Sequence, residues 1–239
     1  MGRFTGVIRH LIIINFLVWI GILTIGNYGE PFQTWLSLHF PKSDSFGIWQ
    51  VFSHMFMHAT YVPNGSGGQS IYFQHILGNM FMLWMFGGTV EQALGKNKFL
   101  FFYISAGLGA ALITMGVDYI QFVNTSASLS IDLSTDTLNQ IVNLNSADGN
   151  YLRGDIFYKN LQPILQEYNL LVNEQDFGSL FRLNALTSKT MVGASGAMTG
   201  VLVAFGMLFP EAKLMLIFCL LYTSPSPRDL STSRMPSSA

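Results

Sequence analysis

Apolar residues in this chain are gathered into long runs that polar stretches separate. A helical run of about 20 apolar residues, rising 1.5 Å per residue, crosses the ~30 Å hydrocarbon core of a bilayer. Four runs approach this length, and a fifth begins but ends early. The pattern predicts an all-α, polytopic membrane helix bundle with about four complete spans plus part of a fifth. The runs are Val7–Gly26, Ile71–Val90, Phe99–Val117, Val192–Phe209 and the incomplete Leu214–Tyr222.

The first run has basic residues near its start, which is also typical of a signal peptide. Arg3 and Arg9 flank it, but no small-x-small cleavage site follows, because the chain continues Gly26-Asn27-Tyr28-Gly29. We therefore favour an uncleaved span. Its strongly polar members are Arg9, His10 and Asn15.

A long polar segment interrupts the apolar pattern between the third and fourth runs. Residues 118–192 carry eight acidic and four basic side chains and much Ser, Asn and Asp. We predict a polar extracytoplasmic loop insert with some helix around Leu161–Phe181. The predicted units are 1–117, the first three spans with an interfacial first loop; 118–190, the insert; 191–220, a fourth span and the start of a fifth; and 221–239, a non-native tail.

Composition supports a membrane protein and excludes other classes. Half of the 239 residues are hydrophobic and 10% are charged, whereas soluble domains carry about 25% charged residues. Mean hydropathy is +0.38. A formal charge of −1 argues against a nucleic-acid partner. The single cysteine, Cys219, excludes an internal disulfide framework and a multi-thiolate metal site.

Charges beside the runs predict the orientation. Basic residues fall on one side of a simple up-and-down threading, and the acidic insert falls on the other. The positive-inside rule then places the N-terminus in the cytoplasm. Short turns and a minimal N-terminus favour a prokaryotic inner membrane. The basic residues are Arg3, Arg9, Lys96, Lys98 and Lys213.

Polar side chains inside spans are costly and need a reason. His75 and Asn79 are four positions apart and share a helix face. They could join helices by hydrogen bonds or donate to a substrate oxygen. Ser195, in Gly193-Ala194-Ser195-Gly196, opens the fourth run. It could be a nucleophile at a helix N-terminus, where free N–H groups can hold an oxyanion. Gly196, Gly200 and Ala204 could equally be a stripe for helix packing.

In combination these motifs resemble the rhomboid family of intramembrane serine proteases. The resemblance covers about 1–117 and 191–220. The matching residues are Trp49, Gln50 and His58 in the first loop, His75 and Asn79 in the second span, Gly87, Glu91 and Gly95 after it, and Gly193 to Gly196.

The resemblance implies a six-helix core whose active site opens to the outer side of the membrane. Ser195 would attack a peptide carbonyl of a single-span membrane protein in the bilayer. The Ser195 backbone N–H, His75 and Asn79 would hold the oxyanion. No cofactor or metal is implied.

The general base that the resemblance implies is a histidine in a sixth span, and this chain contains none after Ser195. The fifth run stops after nine apolar residues, and a tail of Ser, Pro and charge follows. We expect that the polypeptide is truncated within the fifth span, that residues from about 220 are not native, and that it is inactive. The serine helix would then lack the partner for which Gly196, Gly200 and Ala204 are shaped.

Four alternatives remain open. A rhomboid-like pseudoprotease would bind transmembrane helices without cutting them. A zinc protein could use His54 and His58, four positions apart, although residue 55 is Met where the zincin pattern needs Glu. A soluble α/β-hydrolase would need Gly at position 197, which is Ala. A channel or transporter would need more ionisable residues inside its spans.

Overall fold

The computed structural model describes residues 6–25, 27–63, 68–148 and 151–212, and this part of the chain is mostly helical. The helices are α1 (Gly6–Thr24), α2 (Glu30–Leu36), α3 (Gln50–Ser53), α4 (Phe73–Met82), α5 (Gly88–Leu94), α6 (Lys96–Ala127), α7 (Thr135–Val142), α8 (Gly154–Glu167), α9 (Glu174–Ser188) and α10 (Ser195–Leu208). The strands are β1 (Leu38–His39), β2 (Tyr61–Pro63), β3 (Gln69–Ile71), β4 (Ala147–Asp148), β5 (Tyr151–Leu152) and β6 (Thr190–Met191). Each strand pairs antiparallel with one other, as β1–β6, β2–β3 and β4–β5.

Four of the predicted apolar runs contain helices, but they differ in length. By length and composition, α1 and α6 are long and apolar enough to cross a membrane, whereas α10 is a shorter apolar helix. The second run forms α4 and α5, joined without a break by a π-helical turn, Leu83–Gly87. The incomplete fifth run and the predicted tail, residues 214–239, lie outside the described residues.

Small residues bring α10 against α6. A Cβ atom added at Gly196 would lie 2.5 Å from the Cβ of Ala110, and one added at Gly200 would lie 2.6 Å from the Cβ of Ala106. The expectation that this face had lost its partner is wrong, because α6 occupies it. The close approach is possible because α6 also has small residues on the facing side, including Gly107.

Replacement of Gly200 by Leu should force α10 away from α6. We expect Gly200→Leu to destabilise the protein by about 1–3 kcal/mol, since the added atoms would overlap Ala106. Gly206→Leu is the matched control on the same helix, because a Cβ there has open space. Chemical unfolding in detergent, followed by tryptophan fluorescence, measures both. Equal midpoints for the two variants would contradict the assigned packing.

The insert predicted as a polar loop is instead a folded helical unit. The helix of the third run continues to Ala127, and α7, the β4–β5 hairpin, α8 and α9 follow. The predicted helix around Leu161–Phe181 is two helices separated by a turn. Their apolar positions recur at helical spacing and build a second core, to which the first loop and the C-terminal part of α6 also contribute. Its buried members are Phe40, Phe122, Ile141, Val142, Phe157, Leu161, Leu180 and Leu183.

The insert is attached to the membrane helices and to the first loop by specific polar contacts. The Lys189 ammonium contacts the Asp118 carboxylate of α6 at 2.8 and 2.9 Å. The Asn143 side chain donates to the Lys42 carbonyl and accepts from the Asp44 N–H, at 2.9 and 3.0 Å. Strand β6, which follows the insert, pairs with β1 of the first loop. Strand β6 therefore connects the insert to the segment that carries Ser195.

Candidate active site

The first loop is held together by the side chain of Gln50, which is fully buried. Its amide nitrogen donates to the Ser45 carbonyl at 2.8 Å, and its amide oxygen accepts from the His39 N–H at 3.2 Å. The neighbouring Trp49 indole donates to the Trp35 carbonyl at 2.8 Å. The Trp49-Gln50 motif therefore stabilises the first loop and holds the segment that continues to His54 and His58.

The segment before Ser195 is joined to this loop at Gly193. The Gly193 N–H donates to the His54 carbonyl at 2.8 Å. Its φ of +105° is a conformation that residues with side chains rarely adopt. A Cβ atom at this position would lie 3.5 Å from Cε1 and 3.7 Å from Nε2 of His75. These are ordinary contact distances, so the φ angle is what favours glycine here, and the segment before Ser195 passes beside His75.

The protonation of His75 follows from its backbone contact. The Ala59 N–H donates to His75 Nδ1 at 3.0 Å, so Nδ1 carries no proton. In the neutral ring, Nε2 must then carry the proton. Nε2 is also the ring nitrogen that faces Gly193. His75 therefore presents an N–H donor beside the segment that leads to Ser195.

Asn79 lies one helical turn after His75 and contacts His58. The Asn79 amide nitrogen is 3.4 Å from His58 Nδ1, and His58 Nε2 is 2.8 Å from the side-chain oxygen of Asn15 in α1. Burial, with His75 close by, lowers the pKa of His58 from 6.5 to about 4. His58 is therefore neutral at physiological pH, with one nitrogen donating and the other accepting.

Ser195 is the first residue of α10, so the predicted serine stands at a helix N-terminus. The N–H groups of a first helical turn have no partner within the helix and carry partial positive charge. The Ser195 side chain is exposed. Within residues 6–25, 27–63, 68–148 and 151–212, no histidine is hydrogen-bonded to its hydroxyl.

Glu91, the acidic residue of the third motif, lies at the other end of the second span. Its carboxylate accepts from the Ile8 N–H at 3.2 Å and the Val7 N–H at 3.4 Å, so it caps the N-terminus of α1. A Cβ atom at Gly87 would lie 2.7 Å from the Ile8 side chain. The motif thus docks α1 on α5 and takes no part in the serine site.

The two histidines weighed as zinc ligands are engaged elsewhere. His54 Nδ1 contacts the Gln50 carbonyl at 2.8 Å, and both nitrogens of His58 contact asparagine side chains. In the described part of the chain, no group of three His, Cys, Asp or Glu residues could hold a metal ion. The contacts of these two histidines therefore lie within the first loop and between it and the neighbouring helices.

Two contributors to the site were missed in the sequence. The Ala59 N–H carries no side-chain signal, and its partner depends on how the first loop folds. Asn15 was visible as a polar residue within an apolar run, which is itself a signal of function. Nothing in the sequence, however, indicated that its partner would be His58.

Comparison with known proteins gives one family. The family model for the Rhomboid domain matches residues 45–127. The rhomboid protease GlpG of Salmonella newport and that of Salmonella typhimurium are each 30% identical to this chain over 92 residues, which is 38% of this chain. The match spans only 28% of the length of those relatives. The resemblance inferred from the motifs is confirmed over residues 45–127, which include His58, His75 and Asn79. Its second part, 191–220 with Ser195, stays a prediction.

Proposed function

We propose that this chain, which is similar to the rhomboid family over residues 45–127, carries the site of an intramembrane serine endopeptidase. Ser195 is the nucleophile. The Ser195 backbone N–H, His75 and Asn79 hold the oxyanion of the tetrahedral intermediate. Its substrates are single-span membrane proteins, and it needs no cofactor.

The observation that carries this proposal is the position of His75 beside the serine segment. The Nε2–H of His75 lies next to Gly193, two residues before the N-terminus of α10. An oxyanion formed at Ser195 would therefore meet helix N–H groups on one side and a neutral imidazole donor on the other. Donors fixed in this way before the reaction would cost little reorganisation during it.

The surroundings support access from the outer side of a membrane. The serine segment lies where β1 of the first loop meets β6 at the end of the acidic insert. With the basic turn at Lys96 and Lys98 in the cytoplasm, the insert and the mouth of the site face outward. We place the protein in a prokaryotic inner membrane, with its N-terminus in the cytoplasm.

The proposed protease site has no general base in this chain. A serine protease of this type uses a Ser–His dyad, and all five histidines of this chain precede Ser195. We propose that the 239-residue polypeptide, which has no histidine after Ser195 to serve as the general base, is inactive as a protease. A second candidate function is that of a non-catalytic relative that binds transmembrane helices. The Ser195 hydroxyl, to which no described histidine is hydrogen-bonded, favours this candidate. The presence of Ser195 in the Gly193–Gly196 motif favours the protease.

Binding of a transmembrane segment at the serine is testable without catalysis. A photo-crosslinking residue replaces Thr199, which is exposed one turn after Ser195. The chain is reconstituted in liposomes with a single-span reporter whose outer half contains helix-destabilising residues. We expect a covalent adduct with this reporter, and much less adduct with a reporter whose outer half is a stable helix.

The control places the same crosslinker at Ile113 of α6, which is 71% exposed. A crosslinker on that exposed helix surface should react with lipid and with either reporter to the same extent. Equal adduct yields at both positions, or equal yields with both reporters, would overturn the proposed function.

A further inference from the structure

Asn15 is a fully buried polar side chain in the middle of α1, the first apolar helix. Its amide nitrogen donates to the Leu11 carbonyl at 2.7 Å, one turn earlier in the same helix. Because only the amide nitrogen can donate to a carbonyl, this contact fixes the positions of the amide nitrogen and oxygen of Asn15. The side-chain oxygen must be the atom that faces His58, at 2.8 Å.

The orientation of Asn15 determines the tautomer of His58. An amide oxygen can only accept, so His58 Nε2 must carry the proton and donate. Since the ring is neutral, its Nδ1 is then an acceptor. The atom of Asn79 that faces Nδ1, at 3.4 Å, must be the amide nitrogen. One N–H of Asn79 is thus committed to His58, and the other remains able to donate.

We propose that Asn15 is a positioning residue that acts through His58 to fix the amide orientation of Asn79. The relay crosses three elements: α1, the first loop and α4. Asn15 touches no substrate. It removes the alternative tautomer of His58, in which the Asn79 amide would turn its oxygen towards the ring. The importance of Asn79 rests on the proposed function, whereas the relay itself does not.

Substitutions at Asn15 should therefore change the protonation of a distant ring. The full 239-residue chain, with ¹⁵N-labelled histidine and asparagine, is studied by NMR in lipid nanodiscs. The His58 signals are identified by their loss in His58→Gln. In the unchanged chain we expect a single tautomer with the proton on Nε2. In Asn15→Leu, whose side chain is also branched at Cγ but has no acceptor, we expect both tautomers and shifted Asn79 amide signals.

A carboxylate at position 15 keeps the acceptor and adds negative charge. In Asn15→Asp, the Nε2-protonated ring should be retained. A negative charge favours the imidazolium, so the new carboxylate and His58, titrating as a pair, should take up a proton at a pH about one to three units higher than His58 does in the unchanged chain. His75 is the ionisable group facing His58, with ring centroids 5.4 Å apart, and its protonation would oppose that of His58.

The control is Ile22→Ala, which leaves a cavity at another fully buried position of α1. It should lower the thermal stability without moving the His58 or Asn79 signals. The proposal is overturned if Asn15→Leu behaves like Ile22→Ala, or if Asn15→Asp leaves the titration of His58 in place. Because neither readout involves cleavage or substrate, failure of the crosslinking experiment would remove the role of Asn79 in catalysis and leave the relay standing.

Discussion

A preparation of the 239-residue chain is expected to leave a single-span reporter uncut while an active rhomboid protease, run in parallel, digests it. A serine hydroxyl is a weak nucleophile until a base takes its proton. No histidine follows Ser195, and His54, His58 and His75 are hydrogen-bonded elsewhere. In a serine protease, loss of the base alone lowers kcat about 10⁶-fold, or about 8 kcal/mol of activation free energy.

The same assay separates the two candidate functions. The Ser195 side chain is exposed, so free imidazole in the buffer can reach it and act as an external base. Cleavage that increases with imidazole and disappears in Ser195→Ala would support a protease site that lacks only its base. No cleavage at any imidazole concentration would favour the non-catalytic relative. Ser195-dependent cleavage without imidazole would show that the proposed inactivity is wrong.

Removal of one buried side chain from the insert is expected to unfold that unit. Leu161 of α8 is 0% exposed and belongs to the core that includes Phe157, Leu180 and Phe40. We expect Leu161→Ala to cost about 2–5 kcal/mol, because burial is lost and a cavity remains. Hydrogen exchange of α8 and α9, measured by mass spectrometry, reports the loss directly.

The matched control is the same substitution at a surface position. Leu171 is 90% exposed in the turn between α8 and α9, so Leu171→Ala should leave exchange in both helices unchanged. If the two variants exchange at the same rate, the insert does not depend on the core assigned to it. The pair thus tests whether the insert is a packed unit.

The sequence predicted the membrane helices better than it predicted the insert. Apolar runs near 20 residues are a direct physical requirement of the bilayer, and α1 and α6 met it. In the insert, polar composition concealed a helical repeat of apolar residues such as Phe157 and Leu161. Average hydrophobicity was low there, although the spacing of the few apolar residues was sufficient for a core.

The candidate site was predicted by residue type but not by contact. The spacing of His75 and Asn79, and Ser195 at the start of a helix, were visible in the chain. The donor to His75, an N–H of Ala59, was not, because a backbone group becomes specific only when the loop is folded. The expectation that Gly196 and Gly200 had lost their partner was also wrong, because α6 packs there. A stripe of small residues indicates close packing but does not name the helix that packs there.

The pairing of β1 with β6 has a consequence for the order of assembly. Leu38 and Met191 are neighbours in space but about 150 positions apart in the chain, and such contacts form slowly because a long loop must close first. During synthesis, the first loop is complete long before its partner strand exists. The whole insert must be synthesised before β6 can pair with β1, and α10 follows β6 in the chain. We therefore expect a mutation that slows folding of the insert to delay the β1–β6 pairing and, with it, the docking of α10.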